Sequence, residues 1–173
     1  GLDFDTLYLL SPLFDLEGDG AWRVTTASQR SSFSLRIFAN ELPKLLIAAG
    51  IDAKLAQGGP TQIEAKVAWP GTTGDVTVKS LEGELSFNVG SGRLLDIDAG
   101  ASAKLFGLLN LRSLPQILSL DLGGVFEKGL EFSRIAGDIT LDGGNAYTNS
   151  VTLNSRPATI TIAGRTGLLD EDY

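Results

Sequence analysis

Short runs in which apolar and polar residues alternate are the feature that most constrains the fold of this chain. The clearest run spans residues 61–69, where apolar side chains at odd positions alternate with Gln62, Glu64 and Lys66. Successive side chains of a β-strand point to opposite faces of a sheet, so each run predicts a strand with one apolar and one polar face. Most of the 21 glycines lie between such runs, where turns are needed. The sequence therefore predicts a mainly β protein of about nine or ten short strands.

Short connections between these runs indicate that strands adjacent in sequence pair in an antiparallel meander. The DGGN sequence at 142–145 is a strong hairpin signal, and the GSG sequence at 90–92 predicts a second tight hairpin turn. A turn is also predicted at 16–20, a loop at 57–60 and a further strand at 75–80.

The run Leu130–Asp142 has an irregular phase. Its apolar residues lie at even positions at first and at odd positions from Ile135 onward. Because a strand keeps strict alternation, this slip predicts a β-bulge near Ala136 and Gly137.

Two stretches show instead the spacing of about 3.6 residues that is typical of a helix. Asn40 is placed to cap a first helix at 41–49, with leucines on one face and Gly50 at its end. A second helical segment is predicted within 101–120, where Ser113 begins a capping-box pattern. The predicted fold class is thus mainly β (α+β): an antiparallel meander sheet with two helical segments packed on or near its apolar face.

Several functions are excluded by residue types that the chain lacks. It has no Cys and no His, so it lacks a disulfide framework, a thiolate nucleophile and the commonest general base and metal ligand. Its net charge of −7 provides no basic footprint for nucleic acid. No apolar run approaches the roughly 20 residues of a membrane-spanning helix. We therefore expect no enzyme, no cofactor, no metal site and no nucleic-acid partner.

The length of 173 residues suffices for one domain with a core, so we expect a single domain over residues 1–173. The start at Gly1, without an initiator Met, predicts that the chain is a segment of a longer protein.

Acidic residues form two groups that require a separate interpretation. Asp96 and Asp98 lie two apart in an extended run, and Asp15, Glu17 and Asp19 cluster near a predicted turn. Paired carboxylates serve glycosidases and also bind calcium. The twelve-residue calcium-loop pattern is absent, however, and acidic turns are common in an acidic protein, so surface positions are the simpler interpretation.

Four short sequences together resemble a known family. They are GRLL at 92–95, GLLNLRSLP at 107–115, FEKGLEFSRIAGD at 126–138 and IAGRT at 162–166. In this order they resemble the C-terminal region of the AsmA-like proteins, most closely the YhdP branch. The N-terminal half resembles that branch more loosely, and the specific motifs lie within residues 83–169. The family signature contains no catalytic set.

The resemblance implies a location and a function. Members are envelope proteins of diderm bacteria, anchored in the inner membrane by an N-terminal helix and extending through the periplasm. Their long curved sheet forms an apolar groove that carries phospholipid towards the outer membrane. The resemblance thus implies a non-enzymatic, bridge-like lipid-transfer segment whose partners are phospholipid acyl chains. Outer-membrane or other envelope proteins are further candidate partners, and membrane association would come from other parts of the full-length protein.

On this interpretation, the apolar stripes of the strands line the groove. The candidates are Ile63, Val67, Trp69, Leu85, Phe87, Val89, Ile139, Leu141, Val151, Leu153, Ile160 and Ile162. The same stripes would also suit an ordinary core beneath the helices. Lys104, Arg112 and Lys128 flank the second helical segment and are candidates for contacts with phosphate headgroups, although such residues are also commonly solvated.

Three hypotheses remain open at this point. The first is the lipid conduit, and the second is a structural or assembly module that binds other envelope proteins along its sheet edges. The third is a carboxylate hydrolase.

Overall fold

The computed structural model describes residues 1–95, 129–156 and 159–168 of the chain. The strands are β1 (Leu2–Leu10), β2 (Asp15–Val24), β3 (Gln29–Ala39), β4 (Ala56–Gly58), β5 (Thr61–Pro70), β6 (Glu82–Val89), β7 (Gly92–Leu94), β8 (Leu130–Asp142), β9 (Asn145–Ser155) and β10 (Thr159–Gly167). One α-helix, α1 (Leu42–Ala48), and one short 3-10 turn, Ala53–Leu55, follow β3. In this part of the chain, no helix is long and apolar enough to span a bilayer.

All ten strands belong to one antiparallel sheet that does not close on itself. Eight of them follow the order β1-β2-β3-β5-β6-β8-β9-β10, so that neighbours in this path pair antiparallel. This arrangement confirms the predicted mainly β antiparallel meander. Strands β4 and β7 are short extensions: β4 pairs with β7, and β7 pairs with the first residues of β8.

β4 and β5 are separated by a kink at residues 59–60, and β6 and β7 are separated by a kink at residues 90–91. On one side of these kinks Thr61 faces Val89, and on the other side Gly58 faces Gly92. The Gly59 N–H donates to the Ser91 carbonyl at 2.9 Å, and the Gly90 N–H donates to the Pro60 carbonyl at 2.8 Å. The two kinks therefore lie side by side and hold each other.

The predicted hairpin at 90–92 is therefore wrong, because both β6 and β7 pair antiparallel with β8 and so run in the same direction. A Cβ on Gly92 would lie 2.6 Å from the Gly58 Cα, so the glycine here permits close approach of two strands.

Strand β8 continues this line of kinks. Its pairing with β9 shifts between Phe132 and Arg134, which leaves one extra residue, Ser133, on β8. The predicted phase slip is confirmed, but the bulge lies a few residues before Ala136. A second shift, between Ala136 and Thr140, places the extra residue on β9. We call the line through 59–60, 90–91 and Ser133 the crease.

The core lies at the crease. Val89, Leu130, Phe132 and Leu153 are 4–5% exposed and pack together. Leu42, at the start of α1, packs against this cluster. The crease thus brings three strands, β6, β8 and β9, into contact with one helix.

The predicted turn at 16–20 is wrong, because these residues lie inside β2. The glycines at 18 and 20 led to that prediction. The turn comes earlier, where the Ser11 hydroxyl accepts a hydrogen bond from the Phe14 N–H at 3.0 Å. Gly20 faces Phe33 in β3, and a Cβ there would lie 2.2 Å from the Phe33 ring. The glycine makes room for an aromatic ring on the neighbouring strand rather than for a reversal of the chain.

Three other local predictions also need correction. The predicted loop at 57–60 contains part of β4, and the predicted strand at 75–80 is a loop outside the sheet. Glu41, not Asn40, is the N-cap of α1, and its side chain makes no capping hydrogen bond. Gly50 follows the C-cap with a φ of 73°, as its predicted role at the helix end requires. The second predicted helical segment, at 101–120, lies outside the described residues.

The predicted hairpin at 142–145 is confirmed. Asp142 pairs with Asn145, and the two intervening glycines have φ angles of 56° and 80°. Positive φ at both central residues is the geometry of a type I′ turn, which matches the twist of the flanking strands.

Candidate functional site

The twelve apolar residues singled out from the sequence all lie on one face of the sheet, which we call the apolar face. Directly paired residues share a face, so the register alone establishes this. Ile63 faces Phe87 across β5–β6, and Leu85 faces Ile139 across β6–β8. The other members follow by the same pairings or by alternation: Val67, Trp69, Val89, Leu141, Val151, Leu153, Ile160 and Ile162.

Residues of β1–β3 extend the apolar face beyond those twelve. Phe4, Trp22, Phe33, Leu35 and Ile37 are brought onto it by the pairing of β1, β2, β3 and β5. The Phe33 ring stacks on Trp69, with centroids 5.3 Å apart, and lies 5.7 Å from the Phe4 ring. Their alternation was visible in the sequence, but only the register of β3 with β5 joins them to the later strands.

Burial on the apolar face is graded. Trp69, Val89, Val151, Leu153 and Ile162 are 4–6% exposed. The remaining seven candidates are half-buried: Ile63, Val67, Leu85, Phe87, Ile139, Leu141 and Ile160. On the outer strands the same face reaches solvent, since Leu2, Leu9 and Val24 are 45–49% exposed. The face is therefore driest near the crease and wettest at β1.

Two elements bound the apolar face at its ends. Helix α1 lies at the crease end, where the Leu42 side chain approaches Gly58 closely. At the other end, the loop after β5 turns back toward β3. The Ser31 hydroxyl donates to the Gly71 carbonyl at 3.1 Å, and the Trp69 indole N–H donates to the Thr72 carbonyl at 2.8 Å.

A carboxylate organises this loop. Asp75 accepts hydrogen bonds from the Thr72 N–H at 2.7 Å and from the Thr72 hydroxyl at 2.8 Å. Both bonds favour the ionised form, so they hold the pKa of Asp75 below its ordinary value.

The opposite face is polar and charged. Arg36 lies between Glu17 and Glu64, at 3.7 Å from each, and Arg30 pairs with Glu82 at 2.8 Å. Two open cavities of about 830 and 690 Å³ are lined mainly by residues of this face. Charged side chains such as Asp19 and Lys66 line both of them.

The arrangement gives no support to metal or hydrolytic chemistry in the described residues. Asp15, Glu17 and Asp19 alternate along β2 on the polar face, and Glu17 is paired with Arg36. No group of three or more acidic side chains in residues 1–95, 129–156 and 159–168 is arranged to hold a metal ion. Asp96 and Asp98 lie outside the described residues, as do Lys104, Arg112 and Lys128.

Comparison with known proteins identifies the family. The family model described as YhdP protein matches residues 1–173. The chain is 22% identical to the intermembrane phospholipid transporter YhdP of Escherichia coli (strain K12), over 97% of this chain. It spans only 14% of the length of that relative. No solved structure matches the chain. Because the family model covers the whole chain, the protein belongs to the YhdP family.

Proposed function

We propose that this chain is a segment of a periplasm-spanning phospholipid-transfer protein, and that its apolar face holds acyl chains between the inner and outer membranes. The observation that carries the proposal is the continuous apolar face of an unclosed sheet. Twelve predicted residues and five further ones share it, and most remain half-buried rather than sealed. The family and the name of its Escherichia coli relative support the choice of phospholipid as cargo.

An acyl chain can bind to such a surface as long as the surface is apolar and continuous. Transfer of one CH₂ group out of water contributes about 0.8 kcal/mol, so an acyl chain of usual length gains on the order of ten kcal/mol. No nucleophile, cofactor or metal ion is needed for this process. The proposal accordingly assigns no enzymatic activity to the chain. Anchoring in the inner membrane would belong to other parts of the full-length protein.

The proposal is tested by the phospholipid that the purified chain retains in detergent-free buffer, measured by native mass spectrometry and lipid extraction. Ile63→Asn places an amide in the middle of the apolar face and should lower retention several-fold. Gln62→Asn, one residue away on the polar face, is the matched control and should leave retention unchanged. Absence of phospholipid from the unmodified chain would contradict the proposal, as would equal retention by the two variants.

A second candidate function is supported by the outer edge of β1. Leu2, Tyr8, Leu9 and Leu10 are 48–78% exposed, on both faces of this edge strand. An exposed edge with apolar side chains is suited to pairing with a strand of another envelope protein. The chain would then be a non-enzymatic assembly module. Partner binding that survives Phe87→Asn and Ile162→Asn, but not Leu9→Pro, would favour this function over the conduit.

A further inference from the structure

One polar atom on the apolar face has no partner within residues 1–95, 129–156 and 159–168. The indole Nε1 of Trp22 is buried and has no hydrogen-bond acceptor among the residues that the structure describes. A buried donor without an acceptor costs about 1–3 kcal/mol, so buried polar side chains are normally paired. The position of this donor therefore calls for a partner.

The two side chains next to Trp22 in the sheet do have hydrogen-bond acceptors. Trp22 faces Ser31 across β2–β3, and Ser31 faces Trp69 across β3–β5, so the three side chains form one row. Ser31 is fully buried, and its hydroxyl bonds to the Gly71 carbonyl. Trp69 bonds to the Thr72 carbonyl. The loop after β5 therefore provides acceptors for two members of the row and leaves the indole N–H of Trp22 without one.

The row lies at the rim of the apolar face. Beyond it are the turn between β2 and β3 and the loop after β5, and within it lie Phe33 and Val67. Leu2, which faces Trp22 across β1–β2, is 49% exposed, so this corner of the face adjoins solvent. Tryptophan is suited to such a place, because its ring is apolar and its N–H can bond to a polar group at an interface.

We infer that Trp22 donates its indole N–H to an oxygen of the head region of a bound phospholipid, a phosphate or ester oxygen, while the acyl chains lie along the apolar face towards the crease. The inference rests on the proposed function and adds to it a polar end for the bound lipid. The described residues offer no acceptor for this donor, and an oxygen of the lipid head region would supply one. The bound lipid would thus have a defined orientation, with its head region at the rim formed by Trp22 and its tails beyond Phe33.

The experiment uses the two tryptophans as probe and internal control. In the ¹⁵N-labelled chain, each indole N–H gives one signal, assigned with Trp22→Phe and Trp69→Phe. Titration with a short-chain diacyl phosphatidylglycerol below its micelle concentration should move the Trp22 signal downfield, as formation of a hydrogen bond does. The Trp69 signal should move little, because its bond to Thr72 is already made. Decane and inorganic phosphate, each added alone, should leave the Trp22 signal in place.

The outcomes separate this inference from the proposed function. If the chain retains no phospholipid, the proposed function fails and this inference fails with it. If phospholipid binds but the Trp22 signal does not move, only this inference is overturned. An equal shift with decane would indicate repacking without a new hydrogen bond, and an equal shift with phosphate would indicate a plain anion site; either result overturns the inference. Trp22→Phe, which keeps most of the ring, should weaken phospholipid binding about tenfold.

Discussion

Two margins of the apolar face, the crease and the outer strands β1 and β2, differ in burial although both show the same alternation of apolar and polar residues. At the crease, Val89, Leu130, Phe132 and Leu153 are 4–5% exposed. At β1 and β2, Leu2, Leu9 and Val24 are 45–49% exposed on the same face. Alternation assigns a side chain to a face, whereas burial depends on what packs against that face. Near the crease, the kinked strands and Leu42 of α1 supply this packing.

The largest expected effect tests this difference directly with a matched pair of leucines. Leu153→Ala should lower the free energy of unfolding by about 2–5 kcal/mol, because it leaves a cavity in a closely packed cluster. Leu9→Ala should lower it by less than about 1 kcal/mol, because half of that side chain is already hydrated. Urea denaturation followed by circular dichroism measures both. Equal losses would mean that the two margins are packed alike.

The next effect concerns the fit between β8 and β9 on the apolar face. A Cβ on Gly137 would lie 2.7 Å from the Val151 Cα, a backbone atom that cannot move away cheaply. Gly137→Ala should therefore destabilise the chain by about 1–3 kcal/mol, the usual cost of overpacking. Gly74→Ala, where no atom lies closer than 4.0 Å, is the control and should change the unfolding midpoint little. An unchanged midpoint for Gly137→Ala would show that this half of the face is loosely packed.

A smaller effect is expected on the polar face. Arg36 is 58% exposed and lies 3.7 Å from both Glu17 and Glu64, so solvent screens its ion pairs. Arg36→Ala should cost less than about 1 kcal/mol in low salt. The difference from the unmodified chain should shrink further in 0.5 M NaCl (about a 4 Å screening length). A loss as large as that of Leu153→Ala would contradict the contrast between a packed face and a solvated one.

The smallest effect is a pH dependence in the loop that caps Trp69. The pKa of Asp75 is lowered in the folded chain by its hydrogen bonds with Thr72. Its stabilising contribution is therefore present above the ordinary aspartate pKa of about 4 and is lost as the pH falls through the lowered folded value. Asp75→Asn should reduce stability slightly at pH 7, and this difference should vanish in acid. Thermal unfolding of both proteins across that range is the measurement; a difference that grows in acid would contradict the assigned cause.

Much of the fold could be predicted because strand alternation is a local property. Side chains such as Ile63, Phe87 and Ile162 were assigned to an apolar stripe from their own strand alone, and the register confirms that these stripes share one face. Two of the errors occurred at glycines. Gly20 was interpreted as part of a turn although it makes room for Phe33, and the glycines at 90–92 were interpreted as a hairpin although they bend a continuing strand. A glycine can either allow a turn of the backbone or make room for a neighbouring side chain, and only the neighbouring strand determines which role it has.

The properties of the candidate site also fall into those that the sequence predicts and those that depend on strand pairing. The strand content and the polarity of each face could be predicted from the amino-acid sequence, because they depend on residue type and on spacing within a strand, and the family could be predicted from four short motifs. Pairing between strands sets which stripes are dry and where the sheet is creased, and it leaves the Trp22 N–H without an acceptor in the part of the chain that the structure describes. Those properties arise from contacts between residues far apart in the chain, such as Gly58 with Gly92 and Ser31 with Gly71. Pairing across the sheet creates them, and no single strand carries the information.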